Sequence, residues 1–137
     1  MASIYFDANI IIYMFEGPRD IRVQVASVLA QAARSGAKIV SSEISIVECL
    51  HGACKQGLDP LKDRYNAYFA DEEAISLAPI TGAILREAAK IGAENRLKTI
   101  DAIHVATALD SGCGVFFTND RRLRTPAELK VLRLTET

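Results

Sequence analysis

The sequence predicts an α/β fold in which a central parallel sheet of four to five strands lies between two layers of helices. Short apolar runs rich in β-branched and aromatic residues alternate along the chain with longer segments of helical periodicity. The length of 137 residues is that of one domain, and 50% hydrophobic with 24% charged residues is the balance of an ordered globular protein. We therefore expect residues 1–137 to form a single domain.

The predicted elements follow from local pattern. Strands are expected at 3–6, 38–40, 74–77, 115–117 and 130–134, the last at an edge of the sheet. Helices are expected at 21–33, 43–56, 60–69, 81–95 and 99–109, with a tight helical turn at 9–15. Apolar residues at helical spacing give the helix at 43–56 one buried face, which includes Cys49 as a small hydrophobe. Thr99 is expected to be the N-cap of the last helix.

Charge limits the classes of partner. The formal net charge of −1 gives no large basic footprint, so any contact with nucleic acid must be local. Basic residues gather at 121–124 and around Arg96 and Lys98, close in sequence to acidic positions described below. Either cluster, taken alone, is equally well explained as a solvated surface.

Cysteine usage and hydropathy indicate the compartment. The three cysteines lack Cys-x-x-Cys spacing, and their odd number does not suggest a closed disulfide framework. The apolar run at 10–15 is far shorter than the roughly 18 residues that span a bilayer. We expect a cytoplasmic protein that is neither secreted nor inserted in a membrane.

Four acids lie where apolar runs give way to polar residues. Asp7 and Asp120 follow predicted strands, and Glu48 and Asp101 lie early in predicted helices. Because open α/β sheets bind ligands outside the carboxyl ends of their strands, we expect the four to converge there. Two carboxylates about 4 Å apart repel by roughly 4 kcal/mol at an effective dielectric of about 20. The sequence therefore predicts a pocket that a divalent cation would stabilise.

Each acid also has a structural interpretation. Ser45 and Glu48 have the spacing of a capping box, although serines upstream can already cap that helix. Asp101 would complement a helix dipole in the first turn, and Asp120 would be an N-cap after a strand. We favour a site because all four occur together, and because Glu48 faces away from the apolar stripe of its helix, on the side we assign to Ser45.

The ligand types indicate the metal. Carboxylate oxygens suit Mg²⁺ or Mn²⁺, and the lack of paired His or Cys ligands argues against zinc. His104 lies three residues after Asp101, a spacing that permits a hydrogen bond to that carboxylate. Its expected role is that of a supporting or structural histidine rather than a general base.

The ordered set of motifs resembles the PIN-domain family of metal-dependent ribonucleases, most closely its small prokaryotic toxin branch of the VapC type. The motifs are Phe6-Asp-Ala-Asn9-Ile, Ser45-Ile-Val-Glu48 followed by Gly52, Thr99-Ile-Asp101-Ala-Ile-His-Val-Ala-Thr-Ala and Phe117-Thr-Asn-Asp120. The resemblance spans essentially the whole chain. It implies Asp7, Glu48, Asp101 and Asp120 as catalytic, metal-binding acids, with Asn9 and Thr118 as polar members of the pocket.

The resemblance also implies a reaction and partners. One or two Mg²⁺ or Mn²⁺ ions would polarise an RNA phosphodiester and activate water, leaving a 5′-phosphate and a 3′-hydroxyl. Asp120 would orient substrate or water if it does not bind metal. The toxin branch implies a homodimer and a cognate antitoxin protein whose side chain enters the acidic groove.

Three other functions are compatible with parts of the pattern. A haloacid-dehalogenase-type phosphatase also begins with a strand that ends in Asp, but it needs a second Asp where this chain has Asn9. A solitary RNA-processing nuclease would share every motif with the toxin. A non-catalytic PIN-like binding module would follow if the four acids do not hold metal.

Overall fold

The computed structural model describes residues 3–135 and contains five strands and six helices within that range. The first half comprises β1 (Ser3–Phe6), α1 (Ala8–Glu16), α2 (Arg19–Ser35), β2 (Ile39–Ser42), α3 (Ile44–Gln56) and α4 (Asp59–Ala70). The second half comprises β3 (Ser76–Ala78), α5 (Gly82–Asn95), α6 (Thr99–Asp110), β4 (Cys113–Thr118) and β5 (Lys130–Arg133). The predicted alternation of strands and helices is confirmed.

All strand pairs are parallel, and the sheet order is β3-β2-β1-β4-β5. The chain builds outwards from β1 to β3 and then returns to add β4 on the other side of β1. This reversal makes the gap beyond the carboxyl ends of β1 and β4 the topological switch point, where open α/β sheets bind ligands. β5 is an edge strand, as predicted.

Two hydrophobic cores cover the two faces of the sheet, because successive side chains of a strand point in opposite directions. Tyr5 and Phe116 pack with α5 and α6, and their rings stack at 5.1 Å between centroids. Phe6 and Phe117 pack edge to face at 5.4 Å in the core formed with α1 to α4. The predicted three-layer α/β/α arrangement is confirmed. Within residues 3–135 no helix combines the length and apolar character needed to cross a membrane.

The start of α6 differs from the prediction. Lys98, not Thr99, is the N-cap, and its side chain makes no capping hydrogen bond. Thr99 is already the first helical residue, and the extended backbone of Lys98 (ψ 155°) marks the boundary. At α5, by contrast, the Thr81 hydroxyl accepts a hydrogen bond from the Ile84 amide at 3.1 Å.

This difference between two threonines gives a stability prediction. We expect Thr81→Ala to lower the free energy of unfolding by about 1 kcal/mol, since it leaves a helix amide without its cap. Thr99→Ala, the matched control at an exposed first-turn position, should change it by less than about 0.5 kcal/mol. Urea denaturation measures both. Equal losses in the two variants would contradict the assigned caps.

Candidate functional site

Asp7 lies at the switch point, directly after the central strand β1, and is 5% exposed. It is also the N-cap of α1, where its Oδ1 accepts from the Ala8 amide at 2.9 Å. Its Oδ2 accepts from the Thr118 hydroxyl at 2.8 Å and from the Asn9 side-chain amide at 3.1 Å. Three donors therefore fix this carboxylate, and the predicted helical turn after it is a full nine-residue helix because Asp7 caps it.

The residues that follow β4 complete this side of the site. The Thr118 hydroxyl accepts from the Asp120 amide at 3.0 Å, and the Asn119 amide donates to Asn9 Oδ1 at 3.1 Å. Asp120 Oδ1 accepts from the Arg122 amide at 2.9 Å within a turn. The alternative that Asp120 begins a helix is wrong, because the chain continues as a turn and loop. Its carboxylate lies at the rim of the site, next to the group of residues that holds Asp7.

Glu48 is contributed by α3 and meets His104 from α6. The Nε2 of His104 is 2.6 Å from Glu48 Oε1 and 3.7 Å from Asp7 Oδ1, and its Nδ1 is 2.6 Å from the Tyr5 hydroxyl. His104 is buried, whereas the Glu48 side chain is 31% exposed. The hydrogen bond to Asp101 that the spacing permits is not the one that His104 forms. The imidazole lies on the buried side of α6, where it faces β1 and α3 instead.

Ser45 does not share the position of Glu48. Its side chain is fully buried, and its hydroxyl lies 2.7 Å from that of Ser41, which donates to the Phe6 carbonyl at 2.8 Å. This contact ties the start of α3 to β1 rather than offering a hydroxyl to a substrate. The capping-box alternative is also wrong, because Ser42 accepts from the Ile44 amide at 3.1 Å while the Glu48 carboxylate bonds to His104.

The charges of the four acids act on one another. Burial raises the pKa of Asp7, and the negative charge of Glu48 raises it further, while His104 and the Thr118 hydroxyl oppose the rise. Burial also raises the pKa of Asp101, and Asp7, Asp120 and Glu48 add to that rise. The negative charges of Asp7, Asp120 and Glu48 therefore all act on the carboxylate of Asp101.

The negative charges of the acids also act on His104, where they favour the protonated, positively charged imidazole. Burial alone lowers its pKa, but the hydrogen bond to Glu48 and the charges of Asp7, Glu48 and Asp101 together raise it. A cation placed among these acids would be stabilised in the way that the protonated imidazole is.

The donor set fits a hard divalent cation in its chemistry. Asp7, Glu48, Asp101 and Asp120 supply carboxylate oxygens, and both nitrogens of His104 are already engaged. Over residues 3–135 no three His, Cys, Asp or Glu side chains stand close enough to enclose an ion as they are arranged. The Glu48 carboxylate is held by His104 in this arrangement.

Tyr5 and Asn119 were missed by reasoning from sequence. Tyr5 is fully buried next to His104, and the Asn119 side-chain amide donates to the Tyr13 hydroxyl at 3.1 Å. A tyrosine in a short buried strand is a usable signal, because a buried hydroxyl needs a partner. Asn119 has no such signal, since asparagine after a strand is common in turns.

Fold and site together define a parallel α/β protein with a group of interacting acidic side chains at the switch point of its sheet. The sequence model of the PIN domain matches residues 4–129. The chain belongs to the PIN domain family, a family of nucleases.

Solved structures with the same fold include chains of protein complexes. A chain of VapBC2 from Rickettsia felis bound to a promoter DNA fragment aligns with a TM-score of 0.70 and 14% identity, over 95% of this chain and 98% of that one. A chain of a toxin-antitoxin complex from Klebsiella pneumoniae aligns with a TM-score of 0.67 and 23% identity, over 93% of this chain and 95% of that one. A chain of DNA-bound VapBC from Salmonella typhimurium aligns with a TM-score of 0.66 and 18% identity, over 97% of this chain and 98% of that one. No curated protein matches the chain in sequence.

Proposed function

We propose that the protein is a divalent-metal-dependent endoribonuclease. The observation that carries the proposal is the buried carboxylate of Asp7 at the switch point, with Glu48, Asp101 and Asp120 near enough for their charges to interact. Buried like charges are unfavourable unless a cation or a proton offsets them. Membership of a nuclease family supports the same conclusion.

Within this proposal Asp7, Glu48 and Asp101 hold Mg²⁺ or Mn²⁺, and Asp120 either joins them or orients substrate or water. When bound, the cation supplies Lewis-acid polarisation of a phosphodiester and lowers the pKa of water. Thr118 and Asn9 keep the Asp7 carboxylate from turning, since both donate to its Oδ2. Asp120 is held in its turn by the hydrogen bond from the Arg122 amide to its Oδ1.

Local positive charge supports a nucleic-acid substrate. Exposed Arg122 and Arg124 lie two and four residues after Asp120, and exposed Arg96 and Lys98 precede Asp101 at the turn into α6. Basic side chains next to an acidic centre can bind phosphates on either side of the scissile one. Bases of single-stranded RNA loops are accessible to side chains around such a centre, whereas those of a duplex are not.

The direct test uses purified protein and a labelled single-stranded RNA. We expect cleavage with Mn²⁺ or Mg²⁺, complete loss of cleavage with excess EDTA, and recovery when the metal is restored in excess. A DNA of the same sequence is the substrate control, and end-labelling identifies the expected 5′-phosphate. Failure to cut RNA with either metal would contradict the proposal. Calorimetry with Mn²⁺ then tests the non-catalytic binding module, for which we expect no Mn²⁺ binding.

We also propose that the nuclease is the toxin of a toxin-antitoxin pair, acting in the cytoplasm as a homodimer with a cognate antitoxin. The support is the fold shared with chains of the toxin-antitoxin and VapBC complexes described above. Exposed apolar side chains such as Val47 and Leu85 offer surface for such contacts. A solitary RNA-processing nuclease is the alternative. A reading frame for a small antitoxin-like protein immediately upstream of the gene would favour the toxin.

A further inference from the structure

Tyr5, His104 and Glu48 form a continuous chain of short polar contacts from β1 through α6 to α3. The Tyr5 hydroxyl is 2.6 Å from His104 Nδ1, and His104 Nε2 is 2.6 Å from Glu48 Oε1. Tyr5 and His104 are essentially excluded from solvent. Nothing in the proposed reaction assigns a role to either residue.

The contacts determine where the imidazole carries its hydrogen. A carboxylate has no proton to donate, so the nitrogen that faces Glu48 must be Nε2–H. With a neutral ring, Nδ1 accepts from the Tyr5 hydroxyl; with a charged ring, Nδ1–H donates to the same oxygen. Tyr5 therefore holds His104 in one orientation, with Nε2–H towards Glu48, in either protonation state.

Tyr5 is itself rigidly placed. It lies in the central strand, paired with Val40 on one side and Phe116 on the other, and its ring stacks on that of Phe116. The buried hydrogen bond to Tyr5 fixes the position of His104 in turn. Glu48, at the other end of this series of contacts, is partly exposed. Without the contact, the long Glu48 side chain would be free to turn into solvent.

The same imidazole nitrogen also faces the neighbouring acid. Asp7 Oδ1 is 3.7 Å from His104 Nε2, so the N–H group lies beside both carboxylates. A donor in this position reduces the repulsion between Asp7 and Glu48 while no cation is present. It engages only Oε1 of Glu48, and Oε2 keeps its lone pairs for another partner.

We propose that Tyr5 and His104 are positioning residues, which hold the Glu48 carboxylate beside Asp7 for capture of a divalent cation. The inference rests on the proposed metal-dependent function. It assigns the two residues to the outer layer of hydrogen bonds that orients carboxylate ligands in metal sites, where losing one partner lowers affinity about 10–100-fold.

The test is a double-mutant cycle in Mn²⁺ affinity, measured by calorimetry. Tyr5→Phe removes only the hydroxyl and keeps the stacked ring, and we expect it to weaken Mn²⁺ binding about tenfold or more. In a Glu48→Gln background the same change should alter the remaining affinity less than about twofold, because the group being positioned is gone. The matched control is Tyr65→Phe, which removes another buried hydroxyl, bonded to Glu16 at the far end of α1. It should leave Mn²⁺ affinity unchanged.

A second measurement needs no metal. The ¹⁵N shifts of the His104 ring should report hydrogen on Nε2 in the wild type and a mixture of tautomers in Tyr5→Phe. Unchanged Mn²⁺ affinity and an unchanged ring tautomer in Tyr5→Phe would overturn the inference, and so would an equal affinity loss in both backgrounds. A wild type that binds no Mn²⁺ would overturn the proposed metal site itself, which the ring shifts would distinguish from a failure of Tyr5 to fix His104.

Discussion

Asp7→Asn is expected to reduce RNA cleavage by at least about a hundredfold while the protein stays folded. The carboxylate is the most buried of the four acids and lies at the switch point of the sheet. Losing a hydrogen-bond partner of a metal ligand already costs about 10–100-fold, and losing the ligand's charge should cost more. Initial rates with Mn²⁺ at saturating RNA give the measurement.

The stability of the same variant separates loss of chemistry from loss of fold. Burial and the charge of Glu48 disfavour the ionised form of Asp7, but the amide nitrogen of Asn cannot accept from the donors that hold the carboxylate, so we expect the free energy of unfolding without metal to fall by no more than about 1–3 kcal/mol. Mn²⁺ should raise the Tm of the wild type, because ligands stabilise the state that they bind, and should not raise that of Asp7→Asn. Near wild-type cleavage in a folded Asp7→Asn protein would exclude Asp7 as an essential ligand.

Phe116→Ala is expected to have the largest effect on stability, a loss of about 3–5 kcal/mol. Phe116 is fully buried in β4, stacks on Tyr5, and lies in the core beneath α5 and α6. Its removal leaves a cavity that two neighbouring strands cannot close without breaking their pairing. Since domains are stable by only about 5–15 kcal/mol, this variant would lose a large share of its stability.

The control is on the next strand of the same sheet. Leu132 in β5 is 39% exposed, and Leu132→Ala should cost less than about 1 kcal/mol. Denaturant titrations of both variants, with equal m-values, provide the comparison. Similar losses at the two positions would mean that the core beneath α6 is not packed as described.

The fold was predictable from sequence to the extent that it depends on local pattern. Apolar runs and helical periodicity located the five strands and the helices. The observed boundaries differ from the predicted ones by a few residues where side-chain hydrogen bonds determine them. β2, for example, extends to Ser42, whose hydroxyl accepts from the Ile44 amide at the start of α3. Thr99 is not the N-cap of α6, because the turn before the helix places Lys98 at that position.

The candidate site was predictable only in part. Asp7 follows a buried strand, and the carboxyl end of a parallel strand lies where such sheets bind ligands, so the position of Asp7 was predictable. The partner of His104 was not predictable, because Glu48 and Tyr5 are 56 and 99 residues away in sequence. Spacing within α6 permitted a bond to Asp101, but the rotation of that helix against the sheet turned the imidazole towards other elements. Such rotation depends on the whole core rather than on any local pattern.

The hydrogen bond between Thr118 and Asp7 joins residues 111 positions apart. During synthesis the amino-terminal strand leaves the ribosome long before its neighbour β4 has been made, and pairing between such distant segments forms late. We expect the carboxylate of Asp7 to remain unsupported until translation of the chain is almost complete. The proposed ribonuclease would therefore not cleave the messenger RNA that is still being translated.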